Sequence, residues 1–382
     1  MLVVGAGPGG STAAQVAAKA GCRTLLVERR AEIGVPIRCG EGMARRWLAE
    51  IGADPDADFV VHGVEAARVF APDGACLVLG GGGCTIDRAR FDQHLAAEAA
   101  RAGAAVRIRT NAVGLLREAG RVIGARCEHM GRTHDVRADV VIGADGFESQ
   151  VGRWAGLGAP LGARDVVACL EYTMVGVEGE PAFDDFFVGS GAPGGFAWVL
   201  WKGADVANVG VGVNLSRVAD RAEARTYLDR FVAARPGLAR GQVIQEVAGA
   251  VSASRPLERT VADGLLLVGD AARLTDPLTG GGIRNACLSG RFAGEVAAGA
   301  VAAGDASAGF LARYERLWRV RLEASLARDY RIKEALVDMD DAAIARLVRA
   351  LAAVRGDVGD PAGLLGRLRE NDAGLAATLG LA

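Results

Sequence analysis

Glycines that follow a short apolar strand are the first residues of this chain whose spacing points to chemistry. Gly5, Gly7 and Gly10 follow Val3-Val4 with the spacing G-x-G-x-x-G. In such a turn the first glycine lets the chain reverse, the second lets the backbone approach a pyrophosphate, and the third lets the next helix lie close to the strand. The pattern predicts a helix over residues 11–20, whose first amides favour the two phosphate charges.

An acidic residue completes this first pattern. Glu28 ends the next predicted strand, over residues 24–27, at about the distance from the turn where dinucleotide-binding folds place an acid on the adenosine ribose. The opening of the chain therefore predicts a dinucleotide site.

Two later apolar strands also end in an acid beside a glycine. Asp145-Gly146 follows the predicted strand at 139–143, and Gly269-Asp270 follows the one at 265–268. Strands of a parallel sheet can deliver such groups to a ligand at the carboxyl edge of the sheet. Thr279, Gly280, Gly281 and Gly282 then precede a predicted helix over 284–303. The first amides of that helix can stabilise the negative charge that a reduced flavin carries near N1.

The elements between these sites fall into two kinds. Residues 68–79 predict a β-hairpin, residues 87–99 a helix, and residues 113–136 an antiparallel meander. Residues 166–213 contain long, aromatic-rich extended segments that predict a second sheet. Its aromatic side chains either line a cavity or fill a core. A helix over 227–234 and a further strand over 243–251 are predicted to follow. The tail from Ser307 onward is predicted to be helical.

Composition excludes several classes of protein. The 382 residues are 51% hydrophobic with a formal net charge of −2, so we expect no nucleic-acid partner. The seven cysteines form no C-x-x-C pair, and we predict neither a disulfide framework nor a metal site. No apolar run reaches the roughly 18–20 residues of a membrane span. The cysteine usage fits a reducing cytosol, and we expect a cytoplasmic protein.

The order of the three glycine and acid patterns resembles that of flavoproteins with the para-hydroxybenzoate hydroxylase fold. Within them the chain is most similar to the geranylgeranyl reductase family, in particular its digeranylgeranylglycerophospholipid reductases. The resemblance is carried by residues 33–42, 87–92, 142–149, 193–202, 208–213 and 261–283.

The resemblance implies FAD as the cofactor and assigns residues to it. The FAD-binding residues would be Gly5, Gly7, Gly10, Glu28, Arg38, Cys39, Arg88, Asp145, Gly146, Gly269, Asp270, Thr279, Gly280, Gly281 and Gly282. Cys39 would also approach the reacting double bond, as a proton donor or as a gate. Phe196, Trp198 and Trp201 would line a prenyl cavity, although this segment departs from the family's Y-x-W-x-F-P-K pattern by having Phe196, Leu200 and Trp201.

The predicted fold is α/β, with a Rossmann-like FAD-binding domain, an interleaved antiparallel-sheet substrate domain and a C-terminal helical region. We place the FAD-binding domain at residues 1–60, 81–160 and 245–303. The substrate domain is placed at residues 61–80 and 161–244, and the helical region at 304–382.

The predicted function is FAD-dependent saturation of isolated C=C bonds in the geranylgeranyl or polyprenyl chain of a prenyl lipid, prenyl diphosphate or prenyl quinone, by hydride from flavin N5 coupled to protonation. NAD(P)H or a reduced ferredoxin would supply electrons. Because prenyl lipids reside in membranes, peripheral contact with the inner face of the cell membrane is a further expectation. Two alternatives stay open: an FAD-dependent monooxygenase of an apolar or aromatic substrate, and a protein that binds prenyl lipids without reducing them.

Overall fold

The computed structural model describes residues 1–353, Gly366 and residues 373–379. The strands are β1 (Leu2–Val4), β2 (Leu25–Val27), β3 (Gly42–Ala44), β4 (Val60–Val64), β5 (Ala66–Phe70), β6 (Cys76–Leu79), β7 (Gly83–Ile86), β8 (Ala105–Arg107), β9 (Thr110–Glu118), β10 (Arg121–His129), β11 (Arg132–Arg137), β12 (Val141–Gly143), β13 (Val166–Val175), β14 (Phe183–Val188), β15 (Phe196–Trp201), β16 (Val206–Asn214), β17 (Gln242–Ser252), β18 (Val261–Ala262) and β19 (Leu265–Leu267).

The helices carry the same chain-order numbering. They are α1 (Pro8–Lys19), α2 (Arg46–Ile51), α3 (Arg88–Arg101), α4 (Gln150–Trp154), α5 (Glu223–Ala233), α6 (Pro236–Ala239), α7 (Ile283–Ala303), α8 (Ala308–Trp318), α9 (Ala324–Val337), α10 (Asp341–Ala352) and α11 (Ala373–Thr378). A π-helical segment, Arg319–Glu323, joins α8 to α9. None of the helices in the described residues is long and apolar enough to cross a membrane.

The chain forms two compact units. Unit 1 consists of Met1–Ile37, Arg88–Leu161 and Ser254–Ala327. Unit 2 consists of Arg38–Asp87, Gly162–Ala253 and the described residues from Arg328 onward.

Unit 1 is built on a six-stranded sheet in the order β18-β19-β12-β1-β2-β8. All neighbours pair in parallel except β18, which runs antiparallel to β19. Each central strand is only three residues long and fully apolar, as expected for strands covered on both faces. Strands β9, β10 and β11 form the predicted antiparallel meander. The carboxyl ends of β1, β12 and β19 are therefore neighbours in the sheet.

Helices α1 and α7 of unit 1 approach each other at glycines. A Cβ on Gly290 would lie 2.2 Å from the Gly9 carbonyl oxygen, and one on Gly294 would lie 2.7 Å from the Ala13 carbonyl oxygen. A Cβ on Gly9 would in turn lie 3.1 Å from the Ala286 carbonyl oxygen. This close approach holds the amino-terminal end of α1 beside α7.

Unit 2 is built on a seven-stranded sheet in the order β17-β13-β16-β15-β14-β5-β6. All neighbours are antiparallel except β14 and β5, and β5 and β6 form the predicted hairpin. A small sheet, β3-β7-β4, belongs to the same unit. The strand β17, which the predicted boundary at 244/245 divides, is an edge strand of the large sheet.

The α/β class and the two kinds of sheet agree with the sequence prediction. The predicted helical tail is observed as α8, α9, α10 and α11. Residues 354–365, 367–372 and 380–382 of that predicted region lie outside the described residues.

Replacing Gly290 by alanine should destabilise the protein because the new Cβ meets backbone of α1. Overpacking costs about 1–3 kcal/mol, which exceeds the roughly 0.5–1 kcal/mol that alanine gains over glycine inside a helix. Urea denaturation should show a lower midpoint. Gly299→Ala, on the same helix, is the matched control: its Cβ would lie 3.7 Å from the Phe310 ring, and this variant should be neutral or stabilising. Equal stability of the two variants would contradict the close helix contact.

Candidate functional site

In the first glycine turn of unit 1, Gly5 and Gly10 lie close to backbone atoms, whereas Gly7 faces open space. Gly5 has φ +102°, and a Cβ there would lie 2.4 Å from the Ala144 carbonyl oxygen. A Cβ on Gly10 would lie 1.9 Å from the Gly5 carbonyl oxygen. A Cβ on Gly7, by contrast, would meet no atom of the described residues within 4 Å. Two glycines thus permit the tight turn, and Gly7 leaves space for a ligand to approach the backbone.

The start of α1 and the side chain of Glu28 complete this end of the sheet. Gly7 is the N-cap of α1 and provides no side chain to cap the first amides. The Glu28 carboxylate accepts hydrogen bonds from the backbone N–H of Ala6 and of Arg30, each at 3.0 Å. Each carboxylate oxygen has two lone pairs, so Glu28 can hold the turn and still accept a hydrogen bond from a ribose hydroxyl.

Asp145 is held by the helix that follows it. One carboxylate oxygen accepts from the Ser149 hydroxyl at 2.6 Å, and the other accepts from the Val151 N–H at 2.9 Å. Asp145 therefore fixes the first turn of α4. Its neighbour Gly146, at φ +81°, has open space on the side where a Cβ would point.

The third acid, Asp270, lies against the start of α7. It accepts a hydrogen bond from the Thr275 hydroxyl at 2.9 Å, and a Cβ on Gly282 would lie 3.0 Å from its Oδ1. Burial raises the pKa of Asp270, and the nearby Arg88 guanidinium opposes this rise. Gly269, at φ +56°, donates its N–H to the Ser289 hydroxyl at 3.0 Å. The strand end is thus tied to α7.

The glycine loop before α7 is shaped by Asp276. Its carboxylate accepts from the N–H groups of Leu278 and Thr279 at 2.9 and 3.1 Å, and its carbonyl accepts from the N–H of Gly280. Gly282, the N-cap of α7, brings no capping side chain. The amino-terminal end of this 21-residue helix favours negative charge through its first amides and its dipole.

Arg88 of α3 binds Asp92 with two hydrogen bonds of 3.1 Å. Asp92 is buried, and burial raises its pKa against the lowering effect of Arg88. Within unit 1 the structure thus gathers Arg88, Asp270 and the glycine turn. Two uncapped helix ends, a strand-end acid and an open backbone at Gly7 fit the phosphates, ribose and reduced ring of FAD.

Strand alternation divides the seven-stranded sheet of unit 2 into two faces. Leu170, Val209 and Val211 lie on one face, which packs against Leu228 and Phe231 of α5. The other face, here called the glycine face, carries Cys169, Glu171, Phe186, Phe196, Trp198, Gly210 and Gly212.

Trp201 lies on the first of these faces and not with Trp198. It is three residues from Trp198 in one strand, so the two side chains point to opposite sides of the sheet. Trp201 is 2% exposed and belongs to the core beside α5. The prediction that it lines the same surface as Phe196 and Trp198 is wrong.

Glycines on β16 make room for the Trp198 ring. A Cβ on Gly210, which pairs with Trp198, would lie 2.3 Å from that ring. Phe196 contacts Trp198 edge to face at 5.8 Å between ring centroids, and Phe186 contacts Phe196 at 5.7 Å. These three rings form an aromatic surface on the glycine face.

Glu171 lies in the same row of the sheet as Gly210 and Trp198. The Trp198 indole N–H donates to its Oε2 at 2.7 Å. Burial is the main cause that raises the pKa of Glu171 to about 8. The sequence reasoning missed this residue, since a lone glutamate in an apolar strand gives no signal of its partner.

The loop with Cys39 lies over this region within unit 2. A Cβ on Gly40 would lie 3.2 Å from Leu200, 3.3 Å from Glu171 Oε2 and 3.5 Å from the Trp198 indole nitrogen. The half-buried Cys39 Sγ accepts a hydrogen bond from the Glu41 N–H at 3.2 Å. Gly40 thus permits the loop to approach the glycine face closely.

Glu41 ties this loop to the sheet. It has φ +71° and is 2% exposed, and its Oε2 accepts from Lys202 Nζ at 2.5 Å and from Asn208 Nδ2 at 2.8 Å. The Asn208 side-chain oxygen accepts in turn from the Thr173 hydroxyl at 2.8 Å. This buried network holds Glu41 in place, and the Asn208 side chain also donates to the Gly40 carbonyl at 3.3 Å.

Two residues predicted to bind the cofactor, Arg38 and Cys39, belong to unit 2, while the other predicted FAD-binding residues belong to unit 1. Arg38 is exposed, and a Cβ on Gly249 would lie 4.0 Å from its Cβ. Arg38 therefore lies beside the edge strand β17 on the side of Cys169, with which Gly249 pairs.

Removing the cation of the Glu41–Lys202 pair should lower the free energy of unfolding. Lys202→Met leaves a buried carboxylate without its counter-charge, and breaking a buried pair in this way costs about 3–5 kcal/mol. The double variant Glu41→Gln/Lys202→Met should recover most of that loss. Chemical denaturation of the four proteins in a double-mutant cycle measures the coupling. If the stability losses of the two single variants simply added up in the double variant, the pair would not stabilise the loop.

The raised pKa of Glu171 predicts a pH dependence of stability. Between about pH 5 and pH 8 the folded protein keeps a proton on Glu171 that the unfolded chain has released, so unfolding becomes easier as pH rises. The free energy of unfolding should fall by an amount on the order of 4 kcal/mol across this range. Glu171→Gln should remove this part of the slope. An unchanged slope in the variant would contradict the protonated state of Glu171.

Comparisons with known proteins give matches over both units. A family model described as the geranylgeranyl reductase catalytic domain matches residues 165–251, and one for an NAD(P)-binding Rossmann-like domain matches residues 3–53. A digeranylgeranylglycerophospholipid reductase of Thermoplasma volcanium is 45% identical over 356 residues, which cover 91% of this chain and 90% of that protein.

Solved structures agree with these matches. The crystal structure of a geranylgeranyl bacteriochlorophyll reductase-like protein from Thermoplasma acidophilum superposes with a TM-score of 0.96 at 42% identity, covering 99% of this chain and 98% of that one. Aklavinone-11 hydroxylase in complex with FAD and aklavinone, at 23% identity and a TM-score of 0.69, shares the fold and covers 95% of this chain and 72% of its own. The predicted fold class is confirmed, and the chain belongs to the geranylgeranyl reductase family of FAD-dependent oxidoreductases.

Proposed function

We propose that this enzyme saturates isolated C=C bonds of a geranylgeranyl or polyprenyl chain carried by a prenyl lipid. The observation that carries the proposal is the glycine face, where an aromatic surface lies in the same unit as the Cys39 loop. Phe186, Phe196 and Trp198 form one run of edge-to-face aromatic rings, and the Trp198 ring packs directly over Gly210, which has no side chain to displace it. A flexible isoprenoid chain is a ligand of matching chemistry.

An isolated alkene sets a chemical requirement on the site. Because no carbonyl polarises the double bond, hydride addition to one carbon must be coupled to protonation of the other. FAD, when bound, supplies the hydride from N5 of its reduced ring. The chain's own residues must hold the alkene, exclude water and deliver the proton. We assign the proton to the thiol of Cys39.

The proposal assigns FAD to residues of unit 1 and of the Cys39 loop. They are Gly5, Gly7, Gly10, Glu28, Arg38, Cys39, Arg88, Asp145, Gly146, Gly269, Asp270, Thr279, Gly280, Gly281 and Gly282. The external electron donor in the proposal is NAD(P)H or a reduced ferredoxin. We further propose a cytoplasmic enzyme that meets its lipid substrate at the inner face of the cell membrane.

The similarity to digeranylgeranylglycerophospholipid reductases makes a digeranylgeranyl phospholipid the first substrate to test. With the flavin reduced by dithionite under anaerobic conditions, mass spectrometry should show product mass rising in steps of two hydrogens. Cys39→Ala and Cys39→Ser should slow this reduction by about 100-fold or more, as expected for loss of a proton donor. Both variants should retain their FAD.

The control is Cys76→Ala, which removes another half-buried thiol of unit 2, located in the β5–β6 hairpin. It should reduce the lipid at the wild-type rate. Product that forms only when oxygen is admitted would overturn the reductase proposal in favour of a monooxygenase. Binding of the lipid with neither reaction would favour a lipid-binding protein. Full activity of Cys39→Ala would remove the thiol from the mechanism.

A further inference from the structure

One buried acid on the glycine face has no part in the mechanism so far. Glu171 is 3% exposed and lies between the Trp198 ring and the backbone of Gly40, the residue that follows Cys39. In the described residues the Trp198 indole is the one hydrogen-bond donor to its carboxyl. A carboxyl in such a place is costly when ionised and is more stable when it carries a proton.

The charged groups around Glu171 do not reverse this preference. Glu41, in the Cys39 loop, acts in the same direction as burial, while Lys202, at the end of β15, and the Trp198 N–H act against it. Burial remains the largest effect, and the pKa of Glu171 lies at about 8. The Trp198 N–H occupies Oε2 as an acceptor. The acid proton is therefore placed on Oε1, where it can be donated.

Cys39 is close to this row of the sheet. Cys39 directly precedes Gly40, whose Cβ would lie 3.3 Å from Glu171 Oε2. Burial raises the pKa of Cys169, which lies two residues before Glu171 on the same face of β13, and Glu171 and Cys39 add to this rise. In addition, the Glu41 N–H donates to Cys39 Sγ at 3.2 Å, a contact that stabilises negative charge on sulfur. The loop is thus arranged to tolerate a thiolate beside a carboxylic acid.

We propose that Glu171 is the positioning residue that returns a proton to Cys39 after each turnover, an inference that rests on the proposed function. After the thiol has given its proton to the substrate carbon, sulfur is left as a thiolate. The O–H bond of Glu171 breaks and the S–H bond of Cys39 re-forms. The carboxylate then takes a proton from solvent, and neither residue is oxidised or reduced in this step.

The acid chemistry of a buried carboxyl favours this role over a purely structural one. A glutamine at position 171 would accept the same hydrogen bond from Trp198 without the cost of a buried acid. An ordinary glutamate, with a pKa near 4.3, would be ionised at neutral pH and have no proton to give. A carboxyl whose pKa is close to that of an ordinary thiol, about 8.5, can exchange a proton with it in either direction.

The test compares single and repeated turnovers of Glu171→Gln. With the flavin reduced and a digeranylgeranyl phospholipid added anaerobically, the first gain of two hydrogens per enzyme should form at the wild-type rate because Cys39 starts protonated. Later turnovers should slow by about 100-fold. The wild-type rate of repeated turnover should fall as pH rises through about 8. The rate of the variant should not change with pH in this range.

Two further measurements separate this role from a folding defect. Infrared difference spectra of wild type minus Glu171→Gln should show the C=O stretch of a protonated carboxyl at pH 7, and FAD content should be equal. Glu171→Asp should restore part of the repeated turnover. Glu246→Gln, in the neighbouring strand but paired with Tyr172 on the opposite face of the sheet, should behave as wild type.

Equal rates of repeated turnover in wild type and Glu171→Gln would overturn the role of Glu171 while leaving the reductase proposal intact. The same conclusion would follow if the step near pH 8 persisted in the variant, or if the infrared band were missing. If the wild type itself added no hydrogens to the lipid, the proposed function would fail, and this inference would fail with it.

Discussion

The buried ion pair between Glu41 and Lys202 is the interaction on which the candidate site of unit 2 depends. A carboxylate that is 2% exposed must be paired, and the pair joins the Cys39 loop to β15 while Asn208 joins it to β16. The pair holds Glu41 in the left-handed backbone region and brings Gly40 against Glu171 and Trp198. The buried ion pair therefore determines where the loop places the Cys39 thiol.

Small residues create the surface that this loop faces. Along β16 valine alternates with glycine, so the core side is apolar, and on the other side Gly210 and Gly212 leave room for the side chains of Trp198, Val167 and Cys169. The Trp198 ring packs over Gly210, and its N–H is satisfied by Glu171. The side chains of the core thus lie on one side of the sheet, and the three aromatic rings and Glu171 lie on the other.

Much of unit 1 could be predicted from sequence because its signals are local. The G-x-G-x-x-G turn, the strand-end acids and the glycines before α7 each lie within a few residues of the element that they shape. The role of Asp145 in holding α4 is also local, through Ser149, and was nonetheless not foreseen. Local patterns therefore indicate where a ligand can bind, but an acid in such a pattern can equally serve the fold.

Unit 2 was less predictable because its interactions are distant in sequence. The two partners of Glu41 lie 161 and 167 positions further along the chain, and the partner of Glu171 lies 27 positions further. No short spacing in the sequence indicates these pairs. The misplacement of Trp201 has a different cause. The two-residue period of a strand already separates it from Trp198, and carrying over the family's segment as a single cavity lining overlooked that period.

The most direct measurement of the central claim, that the glycine face holds the prenyl chain, is photo-crosslinking. A geranylgeranyl lipid with a diazirine near its last double bond would be bound to the FAD-loaded enzyme, irradiated and mapped residue by residue. Labels should fall on Phe186, Phe196, Trp198 or Cys169, and competition with unlabelled lipid should remove them. Labels confined to the α5 side of the sheet, or to unit 1 alone, would contradict the assignment of this surface.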